Sequence, residues 1–427
     1  MLDIKMIRED PNAVRKNLAR RNKAQVLEMF DELVEVDKEW RKAVADVNEL
    51  RASRNKISME IAASKKAGGE DKKLMKEAGK IPEKIQEIET RRADLDAKMK
   101  SILLRLPNLL DKSVPDGRSE DDNKVVKKSG KPPEFDFEPR DHLEILQGLG
   151  MIDVERGAKA AGHAFYYLRG DAVLLDLAVA RFALDFLHRK NFTVIEPPFM
   201  MNLEAMMGAE DLETFQDQIF KIEGEDLFLI PTSEHPIAAM FKDDVLGTDE
   251  MPAVFAGISP CFRKEVGTHG KYTRGIFRMH HFNKVEQFVF CRPEDSWEWF
   301  ERLGQNTEEI YNQLGLHYRV VTLCSADTGV KAARTDDIEC WMADGKYREV
   351  SSNSNVTDYQ SRRLNIKYRD KRGQAPIGLV HTLNSTAVAT SRIMVAIIEQ
   401  FQQKDGSVKI PKALAPYMNG IEFLKKV

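Results

Sequence analysis

Cysteine is scarce in this 427-residue chain: four residues, Cys261, Cys291, Cys324 and Cys340, far apart and never as a C-x-x-C pair. That excludes a disulfide scaffold and a cysteine zinc site, leaves buried free thiols as the plain reading, and predicts no zinc. Long apolar runs are missing too. No stretch approaches the roughly 20 residues needed to cross a bilayer, and the start MLDIKMIREDPNAVRKNL carries acids where a signal segment would be apolar. A soluble cytoplasmic protein with no membrane partner is expected. Net charge is nearly absent as well, at −3, so bulk charge selects no partner.

Charge is nevertheless segregated. Residues 39–105 hold 17 Lys and Arg against 12 Asp and Glu, a local excess of +5. The same segment has a helical period: Leu74, Ala78, Ile81, Ile85, Ile88, Arg92, Leu95, Met99, Ile102 and Leu106 form a heptad seam interrupted by Arg92. Phe30, Leu33, Trp40, Val44, Val47, Arg54 and Ile61 keep a looser version upstream. AGGED at 67–71 lies between the runs, so two long helices should fold back as an antiparallel coiled-coil hairpin. Pro82 predicts a kink or a late helix start. The excess charge suits either a solvated helical face or a nucleic-acid arm.

Residues 106–137, rich in Pro, Gly, Ser, Asp and Lys, read as a linker or hinge. Beyond it, 174–191 is predicted as a helix with a broad apolar face, and FTVIEPPFM at 192–200 as a strand whose Pro197 and Pro198 confine it to an edge. Such a pair is suited to a subunit interface. Val254–Phe262, a glycine-containing loop and FRMHHFNKVEQFVF read as strand, loop, strand, with Arg263 and Glu265 expected near Phe282 and Glu286 across the ladder. GLVHTLNSTAVATSRIMVAIIEQF, 378–401, reads as a strand to Leu383, a turn and a helix from near Thr386, with Ser385 and Thr386 as cap-type residues. In KYREVSSNSNVTDYQSRR, 346–363, Glu349, Ser351, Ser352, Asn353 and Asn355 gather hard oxygen ligands suited to Mg²⁺, although an ordinary polar turn would read the same.

In order along the chain, MLDIKMIREDPNAVRKNLARR, the hairpin, DHLEI, FYYLRGDAVLLDLAVARF, PTSEHPIAAMF, FRKEVGTHGKYTRGIFRMHHFNKVEQF, REVSSNSN and HTLNSTAVATSR resemble the seryl-tRNA synthetases, a branch of the class II aminoacyl-tRNA synthetases, in their archaeal-type spelling. The resemblance implies an α+β fold: an N-terminal tRNA-binding domain with a long coiled-coil arm at 1–110, a linker at 111–135, and a catalytic domain at 136–427 on a six- or seven-stranded antiparallel sheet flanked by helices. It implies a homodimer that joins L-serine to ATP as seryl-adenylate and passes it to serine tRNA bound through the arm. Selenocysteine tRNA stays open as a second acceptor.

Residue by residue, the resemblance assigns Arg263 to the α-phosphate, Glu265 to the adenine amino group, Phe282 beneath the adenine and Arg392 over it, near the γ-phosphate. Lys264, Met279, Val350 and Ser351 complete the ATP-binding set. Glu349 and Ser352 match the Mg²⁺ ligands. Thr232, Ser233 and Glu234 match the serine pocket, with Glu286 and Thr386 at the substrate's amino group and hydroxyl. Tyr272, Ala326, Asp327 and Thr386 depart from the commoner family spelling, which bears on loop detail and pocket shape. Two alternatives stay open: a synthetase-like carrier ligase or non-catalytic paralogue, which tends to lose the arm or the ATP arginines, and a coiled-coil interaction protein.

Overall fold

The computed structural model describes residues 1–427 except 67, 70, 211–215, 266–274 and 427. Two compact units result: residues 2–19 and 23–107 form one, and residues 108–427 with Met1 and 20–22 the other.

The helical unit is a hairpin of α1 (Ala24–Lys66) and α2 (Lys72–Arg105), preceded by two short helices. Asp71 caps α2 by accepting from the backbone N–H groups of Lys73 and Leu74. The heptad seam is buried at Ile81, Ile85, Met99, Ile102 and Leu106 and half-buried at Leu74, Ala78, Ile88, Arg92 and Leu95, with Val47 and Ile57 packed on Ile81 and Ile85. Ile57, not Arg54, takes the buried position on α1; Arg54 points to solvent. α2 starts ahead of Pro82 and runs through it without a break, so no late start occurs. Ion pairs rung the helices together from outside: Glu32 to Lys98, Glu39 to Arg91 and Arg51 to Glu89, at 2.7, 2.9 and 2.6 Å.

In the larger unit eight strands form one sheet: β1 (Lys124–Ser129), β2 (Thr193–Ile195), β3 (Ala253–Phe262), β4 (His281–Cys291), β5 (Tyr318–Thr322), β6 (Arg334–Trp341), β7 (Tyr347–Thr357) and β8 (His381–Ala389). Their order is β1-β5-β6-β7-β8-β4-β3-β2, antiparallel throughout except that β2 runs parallel to β3. The sheet is thus wider than the six or seven strands expected. The extra width at one side comes from the presumed linker, where 124–129 pairs with β5; a short lysine-rich strand of this kind is edge chemistry, which composition alone reads as loop. The proline-flanked β2 is at the opposite edge, as its sequence requires.

Three helices, α3 (Asp171–Arg189), α4 (Ser296–Leu314) and α5 (Thr390–Gln400), bury their apolar faces with Val285, Val289, Ile338 and Leu383 in the main core. On the other face of β4, Phe288 and Phe290 join a second cluster with Ile237, Phe255 and Leu364. Further along that same face the alternation brings up Phe282, Lys284 and Glu286. One end of the face is therefore closed by packing, and the other presents charge.

Candidate active site

Glu286 is directly opposite Gly257 on β3 and Thr386 on β8. The expected neighbour Glu265 lies elsewhere, because β3 ends at Phe262 opposite His281 and the backbone then leaves the ladder. Glu265 takes a left-handed φ of 46° and pairs with Arg278 at 3.5 Å. Gly257 must lack a side chain: a Cβ there would come within 2.5 Å of Ile237 and 3.2 Å of Ser233. That close approach lets the PTSEH segment, whose short helix spans Glu234–Ala238, pack over the sheet.

Glu286 accepts from the Thr386 hydroxyl at 3.1 Å and pairs with the Lys284 ammonium at 2.5 Å, all three side chains being buried. Burial pushes its carboxyl up, Lys284 opposes that, and Glu234 adds to it. Glu234, also buried, accepts from Lys331 at 2.6 Å and from the Gln360 amide at 2.9 Å, both on Oε1. Its backbone N–H donates to the Thr232 hydroxyl at 3.1 Å, and Ser233 is fully buried beside it. Three buried carboxyl groups, Glu210, Glu234 and Glu286, thus gather against the Lys284 and Lys331 ammonium groups and the His235 imidazole, which is 3.3 Å from Glu210, an acid-rich pocket suited to an amino acid's ammonium group.

Next to this pocket the charge reverses. Arg263 donates from Nε to the Pro231 carbonyl at 3.2 Å and stacks its guanidinium 5.3 Å from the centre of the Phe282 ring. Lys264 follows, its N–H bonded to the Gln218 carbonyl and its ammonium over Phe220. Arg392 lies in the first turn of α5, 5.2 Å from the Phe277 ring centre, and reaches the Glu349 carboxylate at 3.0 Å and its carbonyl at 3.1 Å. The Arg392 guanidinium foremost, with Arg263 and Arg278 adding to it, holds the Glu349 carboxyl below its ordinary value. Three fixed cations thus converge on one carboxylate, whose side chain keeps 47% of its accessible surface.

The 346–363 segment is no polar turn. It is β7 over Tyr347–Thr357 and then enters a short helix, Tyr359–Leu364, and a one-residue register shift opposite β6 pairs Ser351 with Ile338 but Glu349 with Glu339, leaving Val350 bulged into the core. Residues three apart in a regular strand face opposite sides, so the bulge is what brings Glu349 onto the face of Ser352. Asp337, cross-strand partner of Ser352, is buried beside them with Oδ1 lacking a hydrogen-bond partner among the described residues. Of 349–352, only Glu349 and Ser352 offer side chains to the open face. Ser351 faces the other way and donates to the Thr386 carbonyl. Met279 is likewise a core side chain.

β8 also runs longer than its sequence suggests: it continues to Ala389, with a register irregularity between Thr386 and Val388, and α5 starts only at Thr390. The Thr386 hydroxyl is used on Glu286, not on a helix N-terminus. The loop around Tyr272 lies outside the described residues. Lys331, Glu210, Gln360 and Asp337 were not singled out in the sequence; only Lys284 had a local signal, two positions before Glu286 on one strand face.

Sheet, arginines and acidic pocket together define a class II aminoacyl-tRNA synthetase core, and the family described as "tRNA synthetase class II core domain (G, H, P, S and T)" matches residues 218–401. A second description, "Seryl-tRNA synthetase N-terminal domain", matches residues 1–110. Serine--tRNA ligase of Methanocella arvoryzae is 49% identical over 99% of this chain and 100% of its own length, and that of Pyrococcus horikoshii 45% identical over 98% and 96%. Among solved structures, the P. horikoshii seryl-tRNA synthetase complexed with ATP superposes with a TM-score of 0.97 at 44% identity, covering 100% of both chains. The cytoplasmic enzyme of Naegleria fowleri in complex with AMP gives 0.90 at 36%, covering 100% of this chain and 99% of that one. The chain belongs to the seryl-tRNA synthetases.

Proposed function

We propose that this protein is a serine–tRNA ligase that activates L-serine with ATP and transfers it to the 3′ end of serine tRNA. A serine carboxylate oxygen attacks the α-phosphorus, the bond to the pyrophosphate oxygen breaks, and seryl-adenylate remains; a terminal ribose hydroxyl of the tRNA then attacks the seryl carbonyl and AMP leaves. The observation that carries this reading is the adjacency, on one sheet face, of a pocket rich in buried carboxyl groups and a cluster of fixed guanidinium groups.

Arg263 and Arg392 meet the charge that develops on the phosphates, and being permanently ionised they do so at any physiological pH. Phe282 stacks beneath the adenine, and Glu265 accepts from its amino group. Glu286 with Thr386 takes the hydroxyl and ammonium side of serine, and Glu234 with Thr232 closes around the ammonium. For Mg²⁺, the accessible Glu349 carboxylate, the Ser352 hydroxyl and the unpartnered Asp337 oxygen beside them are a hard-oxygen set too sparse for a protein cage, which fits an ion held mostly by phosphate. Glu349 and Ser352 would hold the ion, which supplies charge neutralisation to the phosphates when bound.

Residues 1–110 are read as the tRNA-binding domain, with the +5 arm tracking tRNA backbone, and 136–427, with edge strand β1 from the expected linker, as the catalytic domain. The exposed Leu177 and Val173 on α3 and Val194 on edge strand β2 support a homodimer through this surface. No helix among the described residues is long and apolar enough to cross a membrane, and a cytoplasmic location accords with a tRNA substrate. The test is exchange of pyrophosphate into ATP with serine, alanine and threonine, followed by charging of total tRNA. Serine-dependent exchange and charging are expected; exchange without charging of any tRNA would point to a carrier ligase instead.

A further inference from the structure

Lys331 lies on the loop that joins β5 to β6, remote in sequence from every motif above. Its ammonium reaches Glu210 at 2.7 Å and Glu234 at 2.6 Å, with both carboxylates buried and Lys331 mostly so. Glu234 receives Lys331 and the Gln360 amide on the same oxygen, Oε1, which leaves Oε2 without a protein donor among the described residues. The Gln360 carbonyl is itself held by the Thr382 hydroxyl at 2.7 Å, and the Gln360 amide also donates to the Ala209 carbonyl, so the donor that fixes Oε1 cannot swing away.

We propose that Lys331 is a positioning residue of the amino-acid pocket: shared between Glu210 and Glu234, it keeps Glu234 a carboxylate with Oε1 tied back and Oε2 offered to the substrate's ammonium group. This rests on the reading that Glu234 receives the ammonium. The charged and titratable groups around Glu234 are Lys331, His235 and Glu210, with Glu286 facing it across the pocket and Lys284 paired to Glu286. Burial pushes Glu234 up, and Lys331 and His235 reverse that, so that it lies below its ordinary 4.5 despite Glu210 beside it. Without Lys331, two buried carboxylates would share only the His235 imidazole beside Glu210, and one of them would take up a proton. A protonated Glu234 offers the ammonium no charge.

The experiment is serine-dependent ATP–pyrophosphate exchange at pH 6.5 to 8.5, varying serine and ATP separately, for wild type, Lys331→Met, Lys331→Arg, Glu234→Gln and the charge-neutral pair Glu210→Gln with Lys331→Met. Each pH unit by which the Glu234 pKa exceeds the assay pH removes a factor of about ten in ionised enzyme. Lys331→Met should raise the serine KM at least about tenfold at pH 7, leave the ATP KM within about twofold, and recover as pH rises. Lys331→Arg should keep a flat pH profile. The neutral pair, which removes opposite charges together and so guards against misfolding, should lose most of the pH dependence while its serine KM stays raised, because the charged tie on Oε1 is gone and only the Gln360 amide remains. Wild-type serine KM and profile in both Lys331→Met and the neutral pair, alongside a raised serine KM in Glu234→Gln, would overturn the role of Lys331. An unchanged serine KM in Glu234→Gln would instead overturn the pocket assignment itself, and this inference with it.

Discussion

Replacing Glu286 by alanine should damage stability and chemistry through separable causes. The Glu286 carboxylate and the Lys284 ammonium lie 2.5 Å apart with side-chain exposures of 1% and 7%. Truncating one member of such a pair strands the other charge in the interior, at a cost of about 3–5 kcal/mol, whereas removing both charges is often close to neutral. Glu286→Ala should therefore lower unfolding stability by about that amount. Glu286→Gln with Lys284→Met keeps an acceptor for the Thr386 hydroxyl, bonded at 3.1 Å in the wild type, and should recover most of the loss. Serine activation should not recover: both variants should fall by at least about a hundredfold, because neither supplies a carboxylate to the pocket. Urea unfolding followed by tryptophan fluorescence reads the first effect, with Trp40 replaced by phenylalanine so that Trp297, Trp299 and Trp341 report the larger unit alone; pyrophosphate exchange reads the second. A Glu286→Ala protein as stable as wild type would refute the buried pair. A double variant that activates serine normally would refute the role of Glu286.

Arg263→Ala and Arg392→Ala should each keep the circular dichroism of the wild type while slowing adenylate formation at least about a hundredfold, and near-normal exchange in either folded variant would remove it from the phosphate site. Excising 41–89 and bridging Trp40 to Thr90 with a short flexible linker cuts the hairpin just beyond the Glu39–Arg91 rung, and should spare serine activation but abolish tRNA charging. Normal charging by that protein would make the basic excess a solvated face only. Leu177→Glu, at a side chain 57% exposed on α3, should convert a dimer to monomer in sedimentation and reduce tRNA charging; a wild-type protein already monomeric and active at micromolar concentration would defeat the dimer proposal.

The hairpin was legible because a coiled coil writes its contact into a period, while the looser upstream run missed Val36, Ala43 and Ile57 and placed the exposed Arg54 in the seam. The edge position of β2 was legible because proline cannot donate to a ladder. What the sequence hid depends on partners far away along the chain. Ser385 and Thr386 look like helix caps, yet a neighbouring strand supplies Glu286 as the partner for the Thr386 hydroxyl, and the strand wins over the helix for four further residues. Lys124–Ser129 becomes a strand only because the open side of β5 is available to it. Lys331 carries no periodicity or motif at all, and its importance is visible only when Glu210 and Glu234 are seen to share it.

The bulge at Val350 makes the phosphate end of the site sensitive to parity. Side-chain identity says that Glu349 is a carboxylate; how the residues between it and Ser352 pair with β6 says on which side of the sheet it appears. Val350 could change to isoleucine or leucine with modest repacking, because its side chain only fills core. Flattening the bulge with all residues kept would pair Val350 with Glu339 and send the Glu349 carboxylate into the helices behind, away from Arg392, whereas loss of Val350 would leave Glu349 two residues from Ser352 and on the same face. For a redesign of this pocket, the pairing of REVSS with β6 is therefore less negotiable than most of its letters.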